Sequence, residues 1–175
     1  AARATWFEAG DAVMAAPNAA QLPTDAQVIG AVQRQARPET LVMGAAGTMP
    51  GALHTLWRAP AGGYHMEYGF SCMGYEIAGA IGLKMARPEA DVICFVGDGS
   101  YMMSNSELAT AVMRGVPFTV VLTDNRGFGC INRLQKATGG AEFNNLYASA
   151  NVDVQPEIDF VAHAASMGAH AEKAV

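Results

Sequence analysis

The stretch Val92-Ile93-Cys94-Phe95-Val96-Gly97-Asp98-Gly99-Ser100 decides the fold. A short apolar run, entered from Asp91, breaks off abruptly at Gly97-Asp98-Gly99-Ser100. A second run, Phe118-Thr119-Val120-Val121-Leu122, breaks off at Thr123-Asp124-Asn125-Arg126-Gly127, and the sequence between the two reads as helix. Runs of β-branched and aromatic residues of this length predict two buried parallel strands of one β-α-β unit. Right-handed crossovers bring the carboxyl ends of such strands to the same edge of the sheet, where open α/β folds bind their ligands.

Asp98 and Asn125 then face one crevice, with glycines beside each. A carboxylate, an amide oxygen and a nearby backbone carbonyl make an incomplete shell of hard oxygens. That shell suits Mg²⁺, which keeps phosphate oxygens and water as its other ligands. The glycines let backbone N–H groups come close to phosphate oxygens, and the helix after Ser100 points its positive end there. The residues alone therefore point to a Mg²⁺-diphosphate site. The plain alternative is a pair of ordinary strand-to-helix turns, in which Asp-Gly and Asn-x-Gly are common for backbone reasons. Matched placement at two strand ends favours the site.

Composition narrows the class. The chain has 175 residues, 51% hydrophobic and only 15% charged, as a compact domain with a sheet covered on both faces requires. A net charge of −5 leaves no basic stripe for nucleic acid or an anionic membrane. No apolar run approaches the roughly 18 residues of a spanning helix, and the N-terminus lacks the plan of a signal peptide. Three scattered cysteines, none in a C-x-x-C pair, make no disulfide framework and point to the cytoplasm. Cys94 reads as a strand residue, and Cys130 has no nearby histidine in sequence to activate it as a nucleophile.

Along the chain, residues 1–20 are Ala-rich and uncapped and read as a linker or tail, or a helix packed on something else. Thr24 and Gln27 form a capping box for a helix that runs to Arg37-Pro38. Thr40 to Met43 is a first strand, followed by a Gly-rich turn over 44–51. A short strand near Tyr64-His65-Met66 leads into a helix from Gly74 to Ala86. Strand 91–96, helix 104–114, strand 118–123 and a helical segment near 128–136 follow, then a polar loop over 139–155. The last helix, about 159–167, has Asp159 as cap and Gly168 at its C′ position. The predicted fold class is α/β: a doubly wound three-layer α/β/α domain with a mostly parallel sheet over residues 21–175.

The spacing of Gly97-Asp98-Gly99 and Asn125 resembles the motif of thiamine-diphosphate enzymes. The run from His65 through Glu67, Ser71, Met73 and Gly74 to Ala80 resembles their coenzyme-ring segment. In finer detail, Gly44-Ala45-Ala46-Gly47-Thr48-Met49-Pro50-Gly51, Asn125 to Gln135 and Ala137-Thr138-Gly139-Gly140 resemble the bacterial 3D-(3,5/4)-trihydroxycyclohexane-1,2-dione hydrolases of inositol catabolism.

That resemblance implies two cofactors, thiamine diphosphate and Mg²⁺. The ion would take Asp98, the Asn125 side chain and the Gly127 carbonyl. Gly97, Gly99 and Ser100, with Thr48, would meet the diphosphate. Met73 would support the bent coenzyme, and the Ser71 carbonyl would accept from its amino group. His65, Phe128 and Cys130 would border a small cyclic diketone substrate, and Glu67 reads as a hydrogen-bonding group. The proton-relay glutamate of such enzymes belongs to an N-terminal domain, so the resemblance implies no catalytic residue here. It also implies a domain incomplete at its C-terminal end, and a homo-oligomer formed through other domains. Two alternatives stay open: a carboligase or decarboxylase similar to acetolactate synthase, and a non-catalytic phosphate-binding module.

Overall fold

In a computed structural model, which describes residues 2–20 and 22–174, four strands form an all-parallel sheet: β1 (Leu41–Gly44), β2 (Tyr64–Met66), β3 (Val92–Gly97) and β4 (Thr119–Thr123). Their order is β2-β1-β3-β4. The chain steps outward from β1 to β2, then crosses back over β1 to β3. The order therefore switches between β1 and β3, and the crevice at their carboxyl ends is where open α/β sheets bind ligands.

Strand alternation sends side chains to two cores. Val42, Ile93, Phe95 and Val121 pack on one face with Ile29 of α2 (Asp25–Gln35) and with Met49 and Leu53 of α3 (Thr48–Leu56). Leu41, Met43, Val92 and Cys94 pack on the other face against Ala80 of α4 (Tyr75–Ala86). Val96 joins Ile77 of α4, Tyr101 of α5 (Asp98–Ser104) and Leu108 of α6 (Glu107–Arg114) in a third cluster. Helices on both faces give the doubly wound α/β arrangement expected from the sequence.

Local signals decide most boundaries. The Thr24 hydroxyl accepts from Gln27 N–H while the Gln27 side chain reaches back to Thr24, closing the capping box of α2. Asp159 caps α8 (Phe160–Ser166), and Gly168 follows it with a left-handed φ of 87°. The segment after β4 forms α7 (Gly129–Ala137) and, farther on, a 3-10 turn at Tyr147–Ser149.

One expectation needs correction, and another is narrowed. Residues 44–51 are only partly a turn, because α3 starts at Thr48. Pro50 in its first turn needs no N–H partner there, and Met49 and Leu53 anchor the helix in the core. The N-terminal segment, read as a linker or tail or as a packed helix, contains α1 (Ala2–Ala15) docked on the domain. Met14 is 5% exposed within the first core, a burial worth about 2 kcal/mol. Arg58 pairs with Asp11 and lies over the Phe7 ring, and Trp6 donates to the Thr55 carbonyl. No helix among the described residues is long and apolar enough to cross a membrane.

Candidate functional site

Asp98 stands where β3 passes into α5, and the turn after β4 folds onto it. Its carboxylate accepts from Asn125 N–H at 3.2 Å and from Gly127 N–H at 2.7 Å. Asp98 is 4% exposed, not displayed at an open strand end. Burial pushes its pKa up, and the neighbouring Asp124 carboxylate pushes the same way against the backbone N–H donors. Among the described residues no cation pairs with it; Arg126, in the turn that folds onto it, is paired with Glu157 instead.

The Asn125 side chain accepts from Gly129 N–H at 3.2 Å. Gly127 has φ 141°, and a side chain there would strike the Asn145 carbonyl and the Leu146 backbone. Its own carbonyl oxygen lies close to Gly99, and so does the Phe128 ring. The three oxygen donors named from the sequence thus come from one short knot of backbone. They fit a hard cation: a buried carboxylate lacking a counter-charge, an amide oxygen and a carbonyl. Among the described residues no three His, Cys, Asp or Glu side chains cluster to hold a metal. A cation here would depend on the mixed oxygen set.

This knot is tied down from behind. Arg126, at φ 64°, makes a two-pronged ion pair with Glu157 at 2.8 and 2.9 Å and sits over the Tyr147 ring. Gly127 bridges Leu146, Phe128 N–H donates to the Asn145 carbonyl, and Tyr147 N–H donates to the Arg126 carbonyl. The polar stretch 139–155, read as loop, is therefore the backing of the site. Asn132, Lys136 and Glu142 brace it further through hydrogen bonds.

Ser71 and Met73 lie in the loop between β2 and α4. Glu67 holds that loop, accepting from Phe70 N–H at 3.1 Å and Cys72 N–H at 2.7 Å. The Cys72 and Phe70 donors hold its carboxyl below the usual range, so it is the hydrogen-bonding group expected. Ser71 sits between the two donors at a left-handed φ of 54° and is exposed; Met73 is half-buried. Thr48 opens α3, but its side chain lies outside the described residues.

Other residues fall differently from their expected grouping. The Ser100 hydroxyl is buried and donates to Glu76 at 2.7 Å, so only its backbone N–H is left to face a phosphate. Glu76 escaped the sequence reading altogether; the only signal was a lone acid opening an apolar helix. His65 bonds and stacks on Tyr75. Phe128 and the half-buried Cys130 follow β4, at the opposite edge of the sheet from His65. With about 4.8 Å between strands, some 14 Å separates the two edge strands, and the Phe128 ring folds back from its edge onto Gly99, just past the end of β3. His65 and Phe128 would flank a ligand rather than share one wall.

Comparison with known proteins gives the family and the fold. The family model described as thiamine pyrophosphate enzyme, C-terminal TPP binding domain, matches residues 45–175. The 3D-(3,5/4)-trihydroxycyclohexane-1,2-dione hydrolases of Bacillus thuringiensis (strain Al Hakam) and Bacillus cereus (strain AH820) are each 44% identical to the chain over 153 residues. The match covers 83% of this chain and 24% of theirs, so the chain spans about a quarter of the length of these curated relatives. Among solved structures, a thiamine diphosphate-dependent 4-hydroxybenzoylformate decarboxylase of Rhodococcus jostii RHA1 superposes with a TM-score of 0.69 at 22% identity. It covers 88% of this chain and 28% of that one, a likeness of fold.

Proposed function

This chain belongs to the thiamine pyrophosphate enzymes, as their C-terminal TPP-binding domain. From that premise we propose that it holds Mg²⁺ and the coenzyme diphosphate in an enzyme that hydrolytically opens a cyclic 1,2-diketone, trihydroxycyclohexane-1,2-dione, in inositol degradation. The observation that carries the metal site is Asp98: a buried carboxylate with no cation partner among the described residues, gathered with Asn125 and Gly127 at the carboxyl edge of the sheet. The substrate class rests on the relatives named as dione hydrolases.

Asp98, the Asn125 side chain and the Gly127 carbonyl would hold the ion. Gly97, Gly99 and the Ser100 N–H, with Thr48, would meet the diphosphate. Met73 would support the coenzyme rings, and the Ser71 carbonyl would accept from the amino group. Bound coenzyme supplies a nucleophilic carbon towards a ring carbonyl and a sink for the electrons of the C–C bond that breaks. His65 on one side, and Phe128 and Cys130 on the other, would border the diketone and limit water to the product-releasing step. Glu67 and Glu76 are both committed to hydrogen bonds within the chain, so the proton-relay acid would come from another domain. We place the enzyme in the cytoplasm as a homo-oligomer acting on a small molecule, without nucleic acid or membrane.

The test uses the longest natural protein that carries this chain. Calorimetric titration with thiamine diphosphate should show binding that requires Mg²⁺. Incubation with trihydroxycyclohexane-1,2-dione should yield the ring-opened acid. Turnover of pyruvate instead would move the assignment to a carboligase or decarboxylase similar to acetolactate synthase. Binding without any turnover would leave a phosphate-binding module.

A further inference from the structure

Helix α4 is apolar, with Ile77, Ala80 and Ile81 buried, yet its first turn carries Glu76 at 1% exposure. An ionised carboxylate buried in this way needs a cation, and among the described residues none pairs with it. Its partners are neutral. The Ser100 hydroxyl lies 2.7 Å from both carboxyl oxygens. Gly74 N–H is shared between Glu76 at 3.0 Å and the Ser100 oxygen at 2.7 Å.

A hydroxyl has one proton, so it cannot make a full hydrogen bond to each carboxyl oxygen at once. The short pair of contacts closes if Glu76 is a carboxylic acid: it donates to the Ser100 oxygen and accepts the Ser100 proton on its other oxygen. Burial raises its pKa in that direction, against the hydrogen bonds from Ser100 and Gly74. The knot joins two segments that the sequence keeps far apart. Gly74 follows Met73 and sits at a left-handed φ of 88° with no side chain to cap α4. Ser100 follows the Asp98-Gly99 turn in α5.

We propose that Glu76 is a positioning residue for the coenzyme: through Ser100 and Gly74 N–H it fixes the Met73 segment against the turn that carries Asp98 and Gly99. This rests on the function proposed above. The ring support and the diphosphate turn touch different parts of one rigid ligand, so their separation sets whether both can engage it.

The experiment compares E76Q, E76A, S100A and the double variant E76A/S100A in the longest natural protein carrying this chain. It reads three things: thiamine diphosphate affinity by calorimetry in Mg²⁺, the near-ultraviolet circular dichroism of the bound aminopyrimidine, and thermal melting of each variant without coenzyme. Gln retains a donor and an acceptor and is neutral, so E76Q should bind within about threefold of wild type with the same dichroism. E76A and S100A should each weaken binding by about tenfold and change the dichroism, and the double variant should be no worse than either single one. Should E76A fail to fold, S100A and E76Q carry the same comparison. Unchanged affinity and dichroism in E76A or S100A, losses that add in the double variant, or an E76Q as weak as E76A would each overturn the proposal. Wild-type protein that binds no thiamine diphosphate would overturn the proposed function, and this inference with it.

Discussion

The two loops of the candidate site are stabilised by opposite means. The turn after β4 is tied from within: Asp98 takes two of its N–H groups, Gly127 bridges Leu146, and Arg126 reaches back to Glu157. In the loop between β2 and α4, the outer part up to Cys72 is held by one carboxylate, Glu67, and leaves Phe70 91% exposed. Only its end, at Gly74, reaches the buried Glu76 and Ser100. Buried polar groups must answer one another, because an orphaned donor or acceptor there loses its water without compensation. A solvent-facing hydrogen bond exchanges readily with water and holds much less. The proposed metal half is thus shaped by this chain alone, while the ring-contact half is held lightly at its surface.

Asp98→Ala tests that contrast hardest. In the longest natural protein carrying this chain, Mg²⁺-dependent affinity for thiamine diphosphate should fall by about a hundredfold or more, since the only charged ligand is gone. Calorimetry with and without Mg²⁺ reads the loss, and unchanged affinity would falsify the metal assignment. Because Asp98 is buried and accepts two N–H groups, the variant should also lose about 1–3 kcal/mol of stability.

Gly127→Ala probes the same turn without touching a charge. The added methyl meets backbone on the facing segment at a φ that L residues avoid, so we expect about 2 kcal/mol or more of destabilisation in urea unfolding. A loss below about 0.5 kcal/mol would mean that the turn is free to move and the contrast is overstated.

A pH series sharpens the buried side of the comparison. Burial raises both Glu76 and Asp98, which reverses the usual carboxylate sign. Their stability contribution is fully present below the unfolded carboxylate range and is lost as pH rises through the raised folded values. Glu67, Glu89, Glu142 and Glu157 are lowered and act the other way, but they face solvent and count for little. Cys94, beside Glu76, is raised as well and stays a thiol. Urea unfolding between about pH 4 and pH 8 should show wild-type stability falling and a flatter line for E76Q. Parallel slopes in the two proteins would contradict the buried acid.

The smallest effect belongs to the exposed loop. Glu67→Ala should leave global unfolding unchanged while amide exchange at Phe70 and Cys72 quickens by about tenfold. Were those two amides to exchange at the wild-type rate, something other than Glu67 would be holding the loop.

Legibility in the sequence followed the range of each interaction. The strands, the Thr24 capping box and the Asp159 cap were readable because each is set by neighbours within a few positions. Helix α3 was obscured by Gly47, Pro50 and Gly51, which spell a turn unless Met49 and Leu53 are known to reach the core. Helix α1 has no clear cap in its sequence, and its docking depends on Arg58, Thr55 and the first core, all distant in the chain. The stretch 139–155 has loop composition, and nothing local marks it as the support of Gly127.

By itself the sequence determined the doubly wound class, the two strand ends that carry Asp98 and Asn125, and the oxygen chemistry they offer, since residue type and period fix these locally. Only the tertiary structure decided that Asp98 is covered, that the Ser100 hydroxyl turns inward, and that Glu76 is buried against it. The reason is desolvation. Whether a polar group is charged, neutral, or available to a ligand depends on which remote segments exclude its water, and a linear pattern does not contain that packing.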